Sequence, residues 1–255
     1  MAIDILSRYG IKEVADVTFY EIDNDGNPAA PVLYLDTLKV STIEQTAENT
    51  SARGGKGNPE LIMWDYGKEI TVTLEDALFS AKSMAIMYGA VDSDGQANLS
   101  TTTTGATMLR TVTKAQLNSI VTATAAGSGS ASFKLLNSDV TLSNCTFYDA
   151  SGSVVSSGSN YAYVTGTMAV ADKVEITISA DTFPGSYYVT GDTYARSEVT
   201  GDDEFFQFII PKAKLQSEVT LTMEAEGDPS TFNMNLKVLR PKSGDMMKLV
   251  KYSLG

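Results

Sequence analysis

The sequence predicts a mainly β fold: a sandwich- or barrel-like β domain with one flanking α-helix and a β-rich insertion, for which an immunoglobulin-like arrangement is one option. Three observations lead there. Apolar and polar residues alternate with period 2 in several segments. A single segment carries helical spacing. A run rich in Ser, Gly, Thr and Ala interrupts the chain.

The clearest alternation lies at EVTLTMEAE (218–226), where Val219, Leu221, Met223 and Ala225 alternate with Glu218, Thr220, Thr222, Glu224 and Glu226. GDPS (227–230) supplies a turn and FNMNLKV (232–238) repeats the pattern, so the pair predicts a hairpin with one dry and one wet face. KEITVTLED (68–76) places Ile70, Val72 and Leu74 on one side, and KVEITISA (173–180) does the same with Val174, Ile176 and Ile178. VTFYEI (17–22), VLYLDTLKV (32–40), LIMWDY (61–66) and YAYVTGTM (161–168) are further strands. FFQFII (205–210) is apolar on both faces and is expected to be covered on both. ALFSAKSMAIMY (77–88) is the helix, with Asp76 as N-cap, Leu78, Ala81, Ala85 and Tyr88 on its apolar side and Gly89 as the stop.

Residues 98–107 and 122–132 read as connectors, and 126–182 as a run of short strands with turns at 149–152, 156–160 and 171–173. The expected organisation is therefore one β domain, 1–125 with 183–255, interrupted by a surface subdomain at 126–182. Net charge also shifts along the chain: −7 over 1–125, −4 over 126–200 and −1 over 201–255.

Composition removes several function classes. The 255 residues include no His, one Cys, 19 Lys and Arg, and 31 Asp and Glu. No catalytic pair or metal site that needs His can exist, and neither can an internal disulfide or a cysteine zinc cluster. The net charge of −12 opposes general nucleic-acid binding, because phosphate contacts need clustered cations. The N-terminal MAIDILSRYG lacks the pattern of a signal peptide, and no run of about 18 apolar residues suggests a membrane helix.

The remaining motifs have plain readings. EIDNDGN (21–27) spaces Glu21, Asp23 and Asp25 like a calcium loop, but Val32 stands where the bidentate Glu belongs, so turns are expected here and at VDSDG (91–95). RGGKGN (53–58) lacks the strand–helix setting of a phosphate loop and reads as a hairpin tip. DDE (202–204) reads as a solvated turn, Lys212 and Lys214 as charges guarding a sheet edge, and Cys145 as a small buried residue. Catalytic, cofactor and metal residues are expected to be absent. The connection 41–60 is long for a compact domain; long ordered loops tend to have a function, of which reaching a neighbouring subunit is the obvious one and plain flexibility the alternative reading.

The stretch KEITVTLEDALFSAKSMAIMYG (68–89) resembles the strand-then-helix element of phage tail tube proteins. YYVTGDTYARS (187–197) and the segment 204–252 are similar to structural proteins of tailed phages. The resemblance covers 1–110 and 183–252 and leaves the insertion outside. It implies a virion subunit, assembled in the host cytoplasm, that forms stacked, six-membered rings with its own copies. The other partners it implies are tail proteins: a sheath or tail terminator, a tape measure and a baseplate. DNA would pass through without specific binding, and no membrane would be involved. The 41–60 loop then becomes the ring-stacking contact, with Glu48, Arg53, Lys56 and Asn58 as its candidate residues. Glu69, Glu75, Glu218, Glu224 and Glu226 are candidate lumen-facing acids, with outside solvent as their other possible direction.

Two other classes compete. A capsid, decoration or baseplate protein is favoured by the insertion and is distinguished by copy number in the particle. A carbohydrate-binding module would use Phe147, Tyr148, Tyr161, Tyr163, Tyr187 and Tyr188 as stacking platforms, although their alternation with small residues fits a core better. An enzyme is the class with least support, since no carboxylate or lysine spacing stands out.

Overall fold

The computed structural model describes residues 8–121, 127, 129–221 and 231–252. It divides into two compact units, one made of the chain up to Leu99 and from Ile176 onward, the other Ser100–Glu175. Strands dominate both, and one α-helix is present among the described residues.

The first unit begins with β1 (Tyr9–Ile11), β2 (Asp16–Ile22), β3 (Pro28–Leu35), β4 (Leu38–Arg53) and β5 (Glu60–Asp76), followed by α1 (Ala81–Met87). In chain order there follow β6 (Leu99–Thr102), β7 (Thr107–Thr113), β8 (Leu117–Val121), β9 (Gly129–Leu135), β10 (Ser138–Tyr148), β11 (Val154–Val155), β12 (Tyr163–Ala169) and β13 (Lys173–Ile176). The first unit then resumes with β14 (Ser186–Ser197), β15 (Asp203–Leu215), β16 (Phe232–Val238) and β17 (Lys248–Tyr252).

In the first unit a nine-stranded sheet runs β3-β2-β14-β15-β16-β5-β4, with β1 added to β14 and β17 to β15. Every pairing within it is antiparallel. Both halves of that path feed one apolar cluster. Val17, Phe19, Val189, Phe208 and Ile210 meet Ile70, Val72, Leu74, Met234 and Leu236 there, and the helix adds Ile86 and Met87. A sheet whose two halves share one core is sandwich-like, which is how a strand with one dry face becomes buried.

In the second unit a six-stranded sheet runs β7-β12-β10-β9-β8, with β11 on β10. Its core is separate, built on Phe133, Leu142, Phe147, Val164 and Met168 with the fully buried Cys145 among them. Gly166 is required inside it, because a Cβ there would stand 2.8 Å from the Ser143 carbonyl oxygen. β6 and β13 form a two-stranded sheet of their own. The inserted unit begins earlier than the composition suggested, at Ser100 and not near 126, because β7 and β8 pair into its sheet.

Several local expectations give way. Residues 218–221 are not strand, and 222–230 lie outside the described residues, so the 218–226 partner of the expected hairpin is not seen. FNMNLKV does form β16, but it pairs with β15 and β5. FFQFII buries only Phe208 and Ile210, while Phe205 and Ile209 on the other face are half-exposed. Residues 173–180 keep strand geometry only to Ile176. Lys212 and Lys214 lie on β15, an interior strand flanked by β14 and β16, so they guard no edge.

The helix is capped by Ser80 and not Asp76. The Ser80 hydroxyl accepts from the Ser83 N–H at 3.0 Å and the Ser83 hydroxyl accepts from the Ser80 N–H at 2.9 Å, a reciprocal cap. Asp76 is buried at the end of β5, where its carboxylate accepts from the Thr37 hydroxyl and from the Leu78 N–H. The buried face of the helix is Ser83, Ala85, Ile86 and Met87, whereas Leu78 is 63% exposed.

Candidate assembly surface

The feature that projects from the first unit is a long hairpin arm. β4 and β5 pair antiparallel from Leu38↔Asp76 to Arg53↔Glu60, with register shifts between Leu38 and Val40, Thr46 and Glu48, and Ala52 and Arg53. β16 covers the other margin of β5 only between Thr71 and Asp76. From Ile70 outward to Glu60, and along the outer margin of β4, no described strand pairs with the arm. Its backbone donors and acceptors on both margins therefore face outward.

The expected 41–60 connection is in fact mostly strand. The polar run Ser41–Thr50 reads as a loop because neither of its faces is apolar, but its β-branched Thr42, Ile43, Thr46 and Thr50 suit an extended chain. The true connection is 54–59. Gly55 (φ +83°), Gly57 (φ +89°) and Asn58 (φ +50°) turn the chain there, closed by the Gly54 N–H donating to the Pro59 carbonyl at 3.2 Å. The four candidate stacking residues thus divide. Glu48 lies well down the arm opposite Tyr66, and Arg53 ends β4 with an ion pair to Glu60 at 3.7 Å. Lys56 and Asn58 belong to the tip.

The side chains that stand out on the arm are apolar. Leu61, Ile62, Met63, Trp64 and Tyr66 are all more than half exposed. Period 2 sorts them into two faces. Ile62, Trp64 and Tyr66 lie beside Ala52, Thr50 and Glu48, while Leu61 and Met63 lie on the reverse with Ser51. An isolated two-stranded ribbon is marginal in water, and this one presents apolar groups on both faces. LIMWDY carried the signal in the sequence: an apolar run on both sides of a strand demands cover from outside.

Of the candidate acids, Glu69 and Glu75 share the wet face of β5 with Thr71 and Thr73, opposite the buried Ile70, Val72 and Leu74. Glu69 is paired with Lys237 at 2.7 Å. Thr73 donates to the Asn235 side chain at 3.2 Å on the same face. Glu218 is exposed outside any strand. Glu224 and Glu226 lie outside the described residues.

The remaining motifs are structural. The Asp23 carboxylate accepts from the Asp25 and Asn27 N–H groups at 3.0 and 2.7 Å, and these bonds hold its pKa below the ordinary value. Asp92 builds the same kind of turn with the N–H groups of Asp94 and Gln96. Among the described residues no three potential metal ligands cluster. In the 202–204 triplet, Asp203 takes both arms of Arg196 at 2.7 Å and Glu204 pairs with Lys251. Of the aromatic residues weighed for sugar stacking, Phe147 and Tyr161 pack edge-to-face inside the second unit's core at 5.1 Å, and Tyr187 is fully buried. Tyr188 is half-buried edge-on to Tyr20 at 6.3 Å, while Tyr148 and Tyr163 stand directly opposite each other across β10 and β12. No helix among the described residues is long and apolar enough to cross a membrane.

Compared with known protein families, residues 9–251 match the family described as YomU/Tube protein family. The matched range includes the inserted unit, beyond the two segments in which the resemblance was read. No curated protein matches the chain.

Proposed function

The chain belongs to the YomU/Tube protein family, so it is a tube-type structural protein of a phage virion, and we propose that it assembles into rings of six that stack to form the tail tube. The observation that carries this reading is the arm, with two unpaired margins and the exposed Ile62, Trp64 and Tyr66. Backbone groups left open at a strand margin are satisfied by a strand of a neighbouring copy, and apolar groups on a projecting ribbon are covered by the next ring. Glu48, Arg53, Lys56 and Asn58 travel with that ribbon and serve the contact at its polar rim.

The channel follows from charge. Six copies of a chain with net charge −12 carry −72 per ring. An anionic wall repels the phosphate backbone and leaves ejected DNA free to slide. Glu69, Glu75 and Glu218 are the described candidates for that wall, with Glu224 and Glu226 following Glu218 in sequence. The tube ends meet other tail proteins: a sheath or terminator, a tape measure and a baseplate. The role is non-enzymatic and uses no cofactor.

Negative-stain microscopy of the purified protein across a concentration series tests the reading. Stacked rings with an open centre support it. Monomers at every concentration, with the protein located on the head of the virion, overturn it. A second reading, another virion part such as a decoration or baseplate protein, is favoured by the inserted unit, which has a core of its own. Copy number per particle separates the two, since a tube subunit is repeated along the whole tail.

A further inference from the structure

The first unit carries, besides the arm, a groove of about 640 Å³ lined by the β2–β3 turn, β14, β15 and the segment around 240–248. Its apolar lining is Ile22, Tyr188, Pro211 and Pro241, all half-buried. Its cations are Lys212, Arg240, Lys242 and Lys248. Four cations against the two lining carboxylates, Asp23 and Asp25, leave a surplus of +2 on a chain whose total is −12. The Asp23 carboxylate is held by the N–H groups of its own turn and keeps its negative charge. Lys248 is paired with Asp245 at 3.5 Å, and Lys242 donates to the Asn24 carbonyl at 3.4 Å. Lys212 and Arg240 have no carboxylate partner among the described residues. They are held near each other because the Leu239 N–H donates to the Lys212 carbonyl at 2.9 Å.

The arm offers the complement. Its Ile62–Trp64–Tyr66 stripe is bordered by Glu48, directly opposite Tyr66, and Glu48 has no ion pair among the described residues. We propose that the arm of one copy docks in this groove on a second copy, its apolar stripe on the Ile22, Tyr188, Pro211 and Pro241 floor and Glu48 against the unpaired cations Lys212 and Arg240. The proposal rests on the tube reading and deepens it by naming the receiving surface. Apolar contact at the centre with charges at the rim is how protein interfaces divide their work. Opposite charges desolvated together set register and select the partner. A nucleic-acid phosphate is the competing occupant of a basic groove, but it would have to approach against the chain's overall negative charge.

The test uses full-length protein. Thr50→Cys places a thiol beside Trp64, and Ser243→Cys places one on the groove rim, while Cys145 is fully buried and silent. One variant carries a mass tag. After the two are mixed, assembled and mildly oxidised, the expected product is a disulfide-linked heterodimer that forms only under assembling conditions. In parallel, Lys212→Glu with Arg240→Glu raises the concentration needed for tube formation about tenfold or more, and adding Glu48→Lys restores part of it. The proposal is overturned if wild-type tubes form while no heterodimer appears and the reversed charges leave assembly unchanged. It is also overturned if the reversal instead abolishes binding of a duplex DNA probe. If the wild-type protein forms no tubes at all, the tube reading falls and this proposal falls with it.

Discussion

Trp64 stands directly opposite Thr50 on the arm, and Thr50 is too short to cover it. The indole is left 52% exposed, beside Ile62 and Tyr66 in the same condition. The chain's single tryptophan is thus placed where an isolated subunit has least use for it.

Trp64 therefore reports on assembly. Trp64→Ala is expected to leave the folded subunit within about 0.5 kcal/mol of its original stability, because the ring packs on little within the chain. The same change is expected to abolish tube formation, since buried aromatic anchors dominate interfaces. In the unmodified protein, indole emission should shift to shorter wavelength as tubes form. Emission that stays constant through assembly would show the arm remains solvated.

Gly191 is a second sharp position. It lies across from Phe208 in the β14–β15 ladder, and a Cβ there would stand 2.0 Å from the ring. Gly191→Ala forces that buried ring to move, with an expected cost of about 1–3 kcal/mol in denaturant unfolding. Gly10→Ala, which meets nothing within 4 Å, is the control and is expected to be neutral.

Alkaline pH offers a third check. Burial pushes the Tyr187 hydroxyl up to about 12, against an ordinary value of 10.0, and the group donates to the Gly95 carbonyl at 3.0 Å. The folded state thus holds this proton to higher pH than the unfolded state does. Stability contributed by the neutral phenol is full below pH 10 and declines as pH rises toward 12, by up to about 2–3 kcal/mol. Tyr187→Phe is expected to flatten that alkaline decline and to lose about 1 kcal/mol at neutral pH with the hydrogen bond. Chemical unfolding measured from pH 8 to 12 distinguishes the two slopes.

The second unit has its own core, so residues 100–175 expressed alone are expected to unfold in one cooperative thermal transition. A gradual, non-cooperative loss of its β signal would show that it needs the rest of the chain.

Much of this architecture is legible in the sequence where period 2 coincides with β-branched or aromatic residues. Ile70, Val72 and Leu74 are buried as their alternation predicts, and so are Phe232, Met234, Leu236 and Val238. Alternation says which side is dry but not which strand lies alongside. FNMNLKV thus went to β5 and β15 instead of a hairpin with 218–226. Val219 and Leu221 pack against the core while remaining outside any strand. The polar half of the arm is hidden for the opposite reason. Glu44–Ser51 shows no apolar face because its partner is water or another molecule, so pairing with β5 alone makes it a strand. The helix start is hidden in the sequence because a buried Asp at a strand end and an N-cap Asp look alike; the Ser80–Ser83 pair is the actual cap. The arm is half legible. A long connection near 41–60 marks its place, whereas its apolar character lies in LIMWDY, a strand whose lack of cover only the sheet order reveals.

Cryo-microscopy of the purified protein under assembling conditions tests the central claim most directly. The account predicts a hollow tube of stacked rings in which density from a neighbouring copy covers Ile62, Trp64 and Tyr66 of each arm. Particles whose arms lie bare in solvent, or a lone subunit at every concentration, would contradict it.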